Sequence, residues 1–218
     1  MTKFTKDISL AGADMPLCVV SVQYPADAVL CTEQFYSLAE REIAALKAQS
    51  DGYDRKAVWG ENPYVKFFKR FKKTYPVMLQ YESAVLKDRP FPRFNPVSEV
   101  AFVTEIVTGV LSGAHDTDCF EGELTLYMAD SKEDFEGMHG TLHTYPGDFC
   151  AKDSSGIVFS LVAGTDNRTC AKEGTRNVLY PLFGTPQTSV QTLTDASEVL
   201  CRFAKMLCPD AEIQTEII

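Results

Sequence analysis

The 218-residue chain is 45% hydrophobic, carries 14 Phe and 9 Tyr, and has a formal net charge of −9. That is enough apolar material to bury a sizeable core as one domain or two small lobes, and no apolar run is long enough to suggest a membrane span. Seven cysteines (18, 31, 119, 150, 170, 201, 208) with no C-x-x-C pair argue against a disulfide framework or a zinc knuckle.

Reduced, mostly buried thiols and a polar start over residues 1–7 predict a soluble, unprocessed, cytoplasmic protein. In chain order, the β-branched run 15–23 reads as a strand. Thr32 offers a helix cap, and Phe35, Leu38, Ala39, Ile43 and Leu46 form one helical face to about residue 49. Asn62-Pro63 has the form of a second helix start. Tyr64, Phe67, Phe68 and Phe71 then recur at buried-face spacing, and Lys66, Lys69, Arg70 and Lys73 recur on another face. Pro76 stops that basic helix, and 77–86 reads as another short one.

Three prolines over 88–96 predict a stiff extended connector between an N-terminal part, 1–87, and a core, 88–218, within one compact unit. Asn95-Pro96 starts a helix whose apolar stripe runs to about residue 112, where Gly113 suits a left-handed C-cap. Strands are expected over 123–129, 149–151, 157–163 and 177–183, with a turn-rich β region or flap over 131–147. Asp195 and Glu198 form a capping-box pattern ahead of an amphipathic last helix, and 211–218 reads as a terminal strand. Strands cluster in the middle and helices at both ends, so the expected class is α+β.

Charge is unevenly spread. Residues 55–93 hold ten Lys or Arg against three acids, a local balance of +7 that leaves −16 on the rest. A cationic patch on an acidic body can attract a phosphate backbone, although charge runs are often no more than a solvated face.

Two loops gather the residue types that bind or react. Gly113-Ala114-His115-Asp116 puts a histidine beside acids that can orient it and hold its charged form. Ala163-Gly164-Thr165-Asp166-Asn167-Arg168-Thr169 follows an apolar strand. Gly164 permits close approach of a ligand, Asp166 suits an α-ammonium, and Arg168 suits a carbonyl or phosphate oxygen. The plainer reading of that loop is a turn closed by Asp166–Arg168 or Asp166–Thr169. His139 and His143 have i, i+4 spacing, but Gly137, Gly140 and Pro146 speak against a helix there, so neither a metal nor a cofactor is called for. No G-x-S-x-G elbow, Walker loop or dinucleotide fingerprint occurs, and no cysteine sits in a nucleophile's context.

From about Arg55 onward the chain resembles the B3/B4 module, which edits mischarged tRNA in the beta subunit of phenylalanyl-tRNA synthetase and also occurs as free-standing proteins. The resemblance is carried by Tyr75-Pro76 with Glu82-Ser83-Ala84-Val85-Leu86, by Arg93-Phe94-Asn95-Pro96-Val97-Ser98-Glu99, and by the turn Gly113-Ala114-His115-Asp116. Further on it rests on Glu121-Gly122-Glu123-Leu124-Thr125-Leu126, the Ala163-Gly164 step, and Thr175-Arg176-Asn177-Val178-Leu179. Gly113 stands where the family's pocket histidine heads its turn, with His115 two positions on. Pro181, next to Tyr180, stands at the tyrosine-reading glutamate, and Phe102 at a helix asparagine. A site without that acceptor loses its hold on a phenol, so Tyr-tRNA(Phe) is not the expected substrate.

The resemblance implies a B3/B4-like mixed β-sheet core with flanking helices, and a trans-editing hydrolase that frees a wrong amino acid from tRNA by attack of water on the ester. In that scheme His115 and Asp116 orient water or the terminal ribose. Gly164, Asp166, Arg168, Thr169 and Tyr180 surround the amino-acid moiety, and Lys66, Lys69, Arg70 and Lys73 steer the acceptor stem of tRNA. The alternative is a non-catalytic module using the same pocket for a free amino acid or similar small ligand.

Overall fold

The computed structural model describes residues 2–87 and 89–218. The Asp88 end of the expected connector lies outside them. The fold is α+β. One sheet has the order β11-β2-β10-β3, with β2 (Leu17–Gln23) and β10 (Asn177–Phe183) antiparallel at its centre. β11 (Glu212–Ile217) and the two-residue β3 (His115–Asp116) form its edges. Six consecutive residues of β10, from Val178 to Phe183, are buried, as expected of a central strand covered on both faces.

The second sheet runs β1 (Phe4–Lys6), β4 (Leu124–Met128), β7 (Phe149–Asp153), β8 (Gly156–Ser160) and β9 (Gly164–Thr165). A hairpin of β5 (Asp134–Gly137) and β6 (Gly140–His143) forms the expected flap. Pairings cross the 87/88 divide: β1 pairs parallel with β4, and β2 lies between β10 and β11. A single large cluster of buried apolar residues includes Phe35, Phe68, Val100, Leu179 and Phe203 from all parts of the chain.

Helices α1 (Thr32–Ala48), α5 (Pro96–Thr108) and α6 (Val190–Leu207) pack together beside the first sheet. Short helices α2 (Arg55–Trp59), α3 (Pro63–Lys69) and α4 (Pro76–Tyr81) occupy the N-terminal half, and a π turn over Glu82–Leu86 continues α4. Asn62 caps α3 as its sequence suggests, accepting from the Tyr64 and Val65 N–H groups. An aromatic cluster anchors α3. Tyr64 stacks on Tyr75 with centroids 5.1 Å apart, and their hydroxyls donate to Phe183 O and Gly109 O, each at 2.7 Å.

Several sequence expectations are corrected. α1 begins at Thr32 itself, after Cys31, so Thr32 is not its cap. α6 begins five residues before Asp195, with Ser189 accepting from Thr192 N–H at 3.0 Å. Asp195 sits inside the helix and accepts from Gln191 Nε2 at 2.7 Å. α5 stops at Thr108, because Gly109, at φ 71°, takes the left-handed cap expected of Gly113. Apolarity continues past that point because Leu111 and Ser112 run along β10, where Leu111 O accepts from Phe183 N–H at 2.9 Å. The strand predicted over 157–163 ends at Ser160, and the chain turns before β9.

Candidate functional site

The two loops singled out in the sequence do meet. Asp116 N–H donates to Thr169 O at 2.7 Å, and Ala171 N–H donates to Ala114 O at 2.9 Å. This brings His115 beside Thr169, with Nδ1 3.0 Å from Thr169 Oγ1. Thr169 in turn donates its hydroxyl to Asp166 Oδ1. A threonine has one proton to give, so His115 must carry its own proton on Nδ1 and donate it. Nε2 is left as a bare acceptor without a partner among the described residues. Burial, with the ring wholly enclosed, pushes the His115 pKa down to about 3, which keeps the imidazole neutral. Nε2 faces Gly113: a methyl group added there would sit 3.4 Å from it and 3.5 Å from Thr165 Oγ1.

His115 packs against Phe159, ring centroids 5.8 Å apart, and Phe159 in turn lines a hollow of about 280 Å³ that His115 itself does not line. It is lined by aromatic rings of Phe68, Phe159 and Phe183, by the Ser112 segment, and by the turn from Ser160 through Gly164 to Thr165. Its size is just below the roughly 300–1,000 Å³ of small-molecule sites, which suits a small organic group. Gly164 adopts φ 114°, a conformation that favours glycine, and so bends the floor back toward β8. Lys73 and Thr74 form part of the rim.

Lys73 and Thr74 also line a second groove of about 510 Å³, where they are joined by Lys56, Lys69, Trp59 and Tyr75. Lys73 is not on α3, which ends at Lys69. Lys72, at φ 56°, turns the chain so that Lys73 N–H returns to Phe68 O at 3.2 Å. Its ammonium lies 5.3 Å from the centroid of Tyr145, next to the flap. Among the described residues, Lys56, Lys69 and Lys73 form no ion pair, whereas Lys66 pairs with Glu61 at 2.5 Å and Arg55 pairs with Glu82. Arg70 lies over Phe67, 5.2 Å from its centroid.

Other expected site residues have different neighbours. Asp116 points away from the histidine: its carboxylate accepts from Asp118 N–H at 3.0 Å and from Thr175 Oγ1 at 2.8 Å. Adjacent strand residues face opposite sides, so His115 and Asp116 cannot share one face. Asp166 accepts from the N–H groups of Arg168 and Thr169 as well as from the Thr169 hydroxyl, closing the turn in the plainer way. Arg168 clamps Asp153 through two 2.9 Å bonds and donates to Cys119 O at 2.6 Å. Asp166 and Arg168 line a separate groove against the flap, together with Glu133 and Glu136. Tyr180 is fully buried in the core, donating to Val97 O at 2.8 Å, with Tyr24 Oη 3.1 Å away.

Two buried acids near the hollow carry no signal in the sequence. Asp148, ahead of β7, accepts from the Ser160 hydroxyl and from Val162 N–H at 3.2 Å, and burial pushes its pKa up to about 6. Glu105 on α5 accepts from Ser112 N–H at 2.8 Å, and burial pushes it up to about 8. Both meet the hollow through a neighbour across the fold, which spacing along a chain does not reveal.

No family model matches the sequence, and no curated protein matches it. Among solved structures, the crystal structure of an N-terminal fragment of the phenylalanyl-tRNA synthetase beta-subunit from Pyrococcus horikoshii aligns over 97% of this chain at 9% identity, with a TM-score of 0.48. The chain spans 50% of the length of that fragment. At this level the likeness is one of coarse architecture and transfers no residue role.

Proposed function

We propose that this protein takes the aminoacyl end of a charged tRNA into the hollow lined by Phe159, Gly164 and Thr165 and hydrolyses its ester bond. The observation that carries the reading is the shared rim. A small, mostly apolar pocket and a lysine-lined groove open side by side and have Lys73 and Thr74 in common. That juxtaposition suits a ligand with a small organic group on a phosphate-bearing carrier. The aminoacyl ester is already activated, so a site need only position water, exclude the correct residue and stabilise the oxyanion.

Within this reading Phe68, Phe159 and Phe183 hold the side chain of the amino acid, and Gly164 lets the ester lie close to the backbone. Thr165 hydrogen-bonds the substrate, and His115 backs the wall of the hollow through its packing on Phe159. Lys56, Lys69 and Lys73 meet the phosphates. Asp166 and Thr169 act through His115, fixing its tautomer. Asp116, Arg168 and Tyr180 hold the scaffold.

A second reading is favoured by one observation: His115 is completely enclosed and has no path to solvent of its own. A pocket with only such a histidine would bind a free amino acid without turning it over. Purified protein incubated with tRNAs carrying Ala, Ser, Val, Leu, Phe or Tyr separates the two. Hydrolysis of at least one supports the editing reading, and survival of all six at enzyme excess rejects it.

A further inference from the structure

At the back of the hollow, Ser160 and Asp148 form a buried pair. Ser160 ends β8, lines the hollow and is 1% exposed, while Asp148 is wholly enclosed behind it. The Ser160 hydroxyl donates to Asp148 Oδ2, and its oxygen accepts the Ala163 N–H at 2.8 Å. A hydroxyl oxygen has two acceptor sites, so one is left over. Asp148 has no cationic partner among the described residues; the ionisable groups that interact with it are the Cys150 thiol and the Tyr127 hydroxyl, with the Glu133 carboxylate beyond them. Leaving a carboxylate unpaired in the interior is costly, and two or three hydrogen bonds offset only part of that. A hydrophobic core would not place such a group against a pocket floor.

On the reading that the hollow hydrolyses an ester, we propose that Ser160 and Asp148 are its proton-accepting pair, with Ser160 Oγ meeting the attacking water and Asp148 acting as the base behind it. The water oxygen bonds to the ester carbonyl carbon while one of its protons passes to Ser160 Oγ. The proton originally on Ser160 passes to Asp148. Collapse of the tetrahedral intermediate breaks the bond to the ribose oxygen, which takes a proton back along the same path. The amino acid leaves as its carboxylic acid, and Asp148 is again ionised. Burial supports the assignment, because it holds Asp148 at about 6, where a base is both ionised and still effective near neutral pH. Asp148 is a positioning and proton-storing residue in this scheme, and Ser160 is the group in contact with the water.

The test uses the full chain and the six charged tRNAs named above, under single turnover. Asp148→Asn keeps an acceptor for Ser160 but cannot take a proton. It and Ser160→Ala should each slow hydrolysis by about 100-fold or more. Binding of a non-hydrolysable 3′-aminoacylamino-adenosine should change by less than about threefold. The wild-type rate should rise with pH and level off near pH 6, the bend should vanish in Asp148→Asn, and Asp148→Glu should restore it. A wild-type rate and an unchanged bend in Asp148→Asn overturn the pair while leaving the editing reading intact. A wild-type protein that clears none of the six overturns both. If Asp148→Asn does not fold, Ser160→Ala decides by the same two measurements: a retained rate with a retained bend refutes the pair.

Discussion

His115 Nδ1 and Thr169 Oγ1, 54 positions apart in sequence, lie 3.0 Å from one another, and the threonine hydroxyl donates to Asp166. These hydrogen bonds fix a neutral imidazole whose acceptor nitrogen faces Gly113. They also tie the turn after β9 to the strand segment after α5.

The enclosed histidine predicts an acid-sensitive fold. Its ordinary pKa of 6.5 falls to about 3 on folding. Below pH 6.5 the unfolded chain binds a proton that the folded chain refuses, so stability is lost as pH drops from 6.5 toward 3. The contribution of this one group reaches roughly 4 kcal/mol at the bottom of the window. Urea unfolding of His115→Asn at several pH values should lose about 2.5 kcal/mol less than wild type between pH 6 and 4. An identical slope in both proteins would place the ring outside an enclosed site.

Glu105 predicts the opposite trend. Burial raises it from 4.5 to about 8, so the unfolded chain gives up a proton that the folded chain keeps between those values. Stability from this group therefore falls as pH rises from 4.5 to 8. Glu105→Gln removes the penalty, and its advantage over wild type should grow to roughly 3–5 kcal/mol by pH 8. A variant less stable than wild type at pH 8 contradicts this account of the acid.

Lys69 and Lys73 offer a contrast in charge. The double change Lys69→Glu, Lys73→Glu should weaken tRNA binding by about tenfold or more. It should also flatten the dependence of log affinity on log salt by roughly one to two, as expected for two lost phosphate contacts. Unfolding midpoints should move little, because neither ammonium is in an ion pair among the described residues. Unchanged affinity and salt slope would make the groove an ordinary solvated face.

Tyr180 is expected to matter for stability alone. Tyr180→Phe removes the donor to Val97 O and leaves Tyr24 Oη without its partner in a sealed interior. A loss of about 1–3 kcal/mol follows from such an orphaned group. Binding of an aminoacyl-adenosine analogue, measured by calorimetry, should stay the same. A marked affinity change without a stability change would return this tyrosine to the pocket.

The sequence made local structure legible where one residue type has one physical use. Asn62-Pro63 and Asn95-Pro96 start helices, Gly140 and Gly147 take the left-handed angles that turn the 131–147 segment, and Gly164 takes a backbone angle that favours glycine. It misled where two residues offer the same service. Gly109 and Gly113 can both end a helix, and only the pairing of Leu111 with β10 decides between them. Ser189 outranks Asp195 as a cap because the chain is already helical six residues earlier than the capping-box pattern suggests. The candidate site was half visible. His115 and Gly164 stand out in sequence, and so does the basic run that supplies Lys73. Adjacency in sequence points to Asp116 as the orienting partner of His115, while the strand pleat turns Asp116 to the other side. Asp148 and Glu105 were invisible for the same reason: their environments are made by residues from other elements.

The most direct measurement is a map of amide chemical-shift changes on titrating a non-hydrolysable 3′-aminoacylamino-adenosine into the labelled protein. The account predicts saturable changes at Phe68, Lys73, Ser112, Phe159, Gly164 and Thr165, abolished when Phe183 is replaced by Trp to fill the hollow. Changes gathered instead at Glu133, Asp166 and Arg168, or an unperturbed spectrum at saturating ligand, would contradict it.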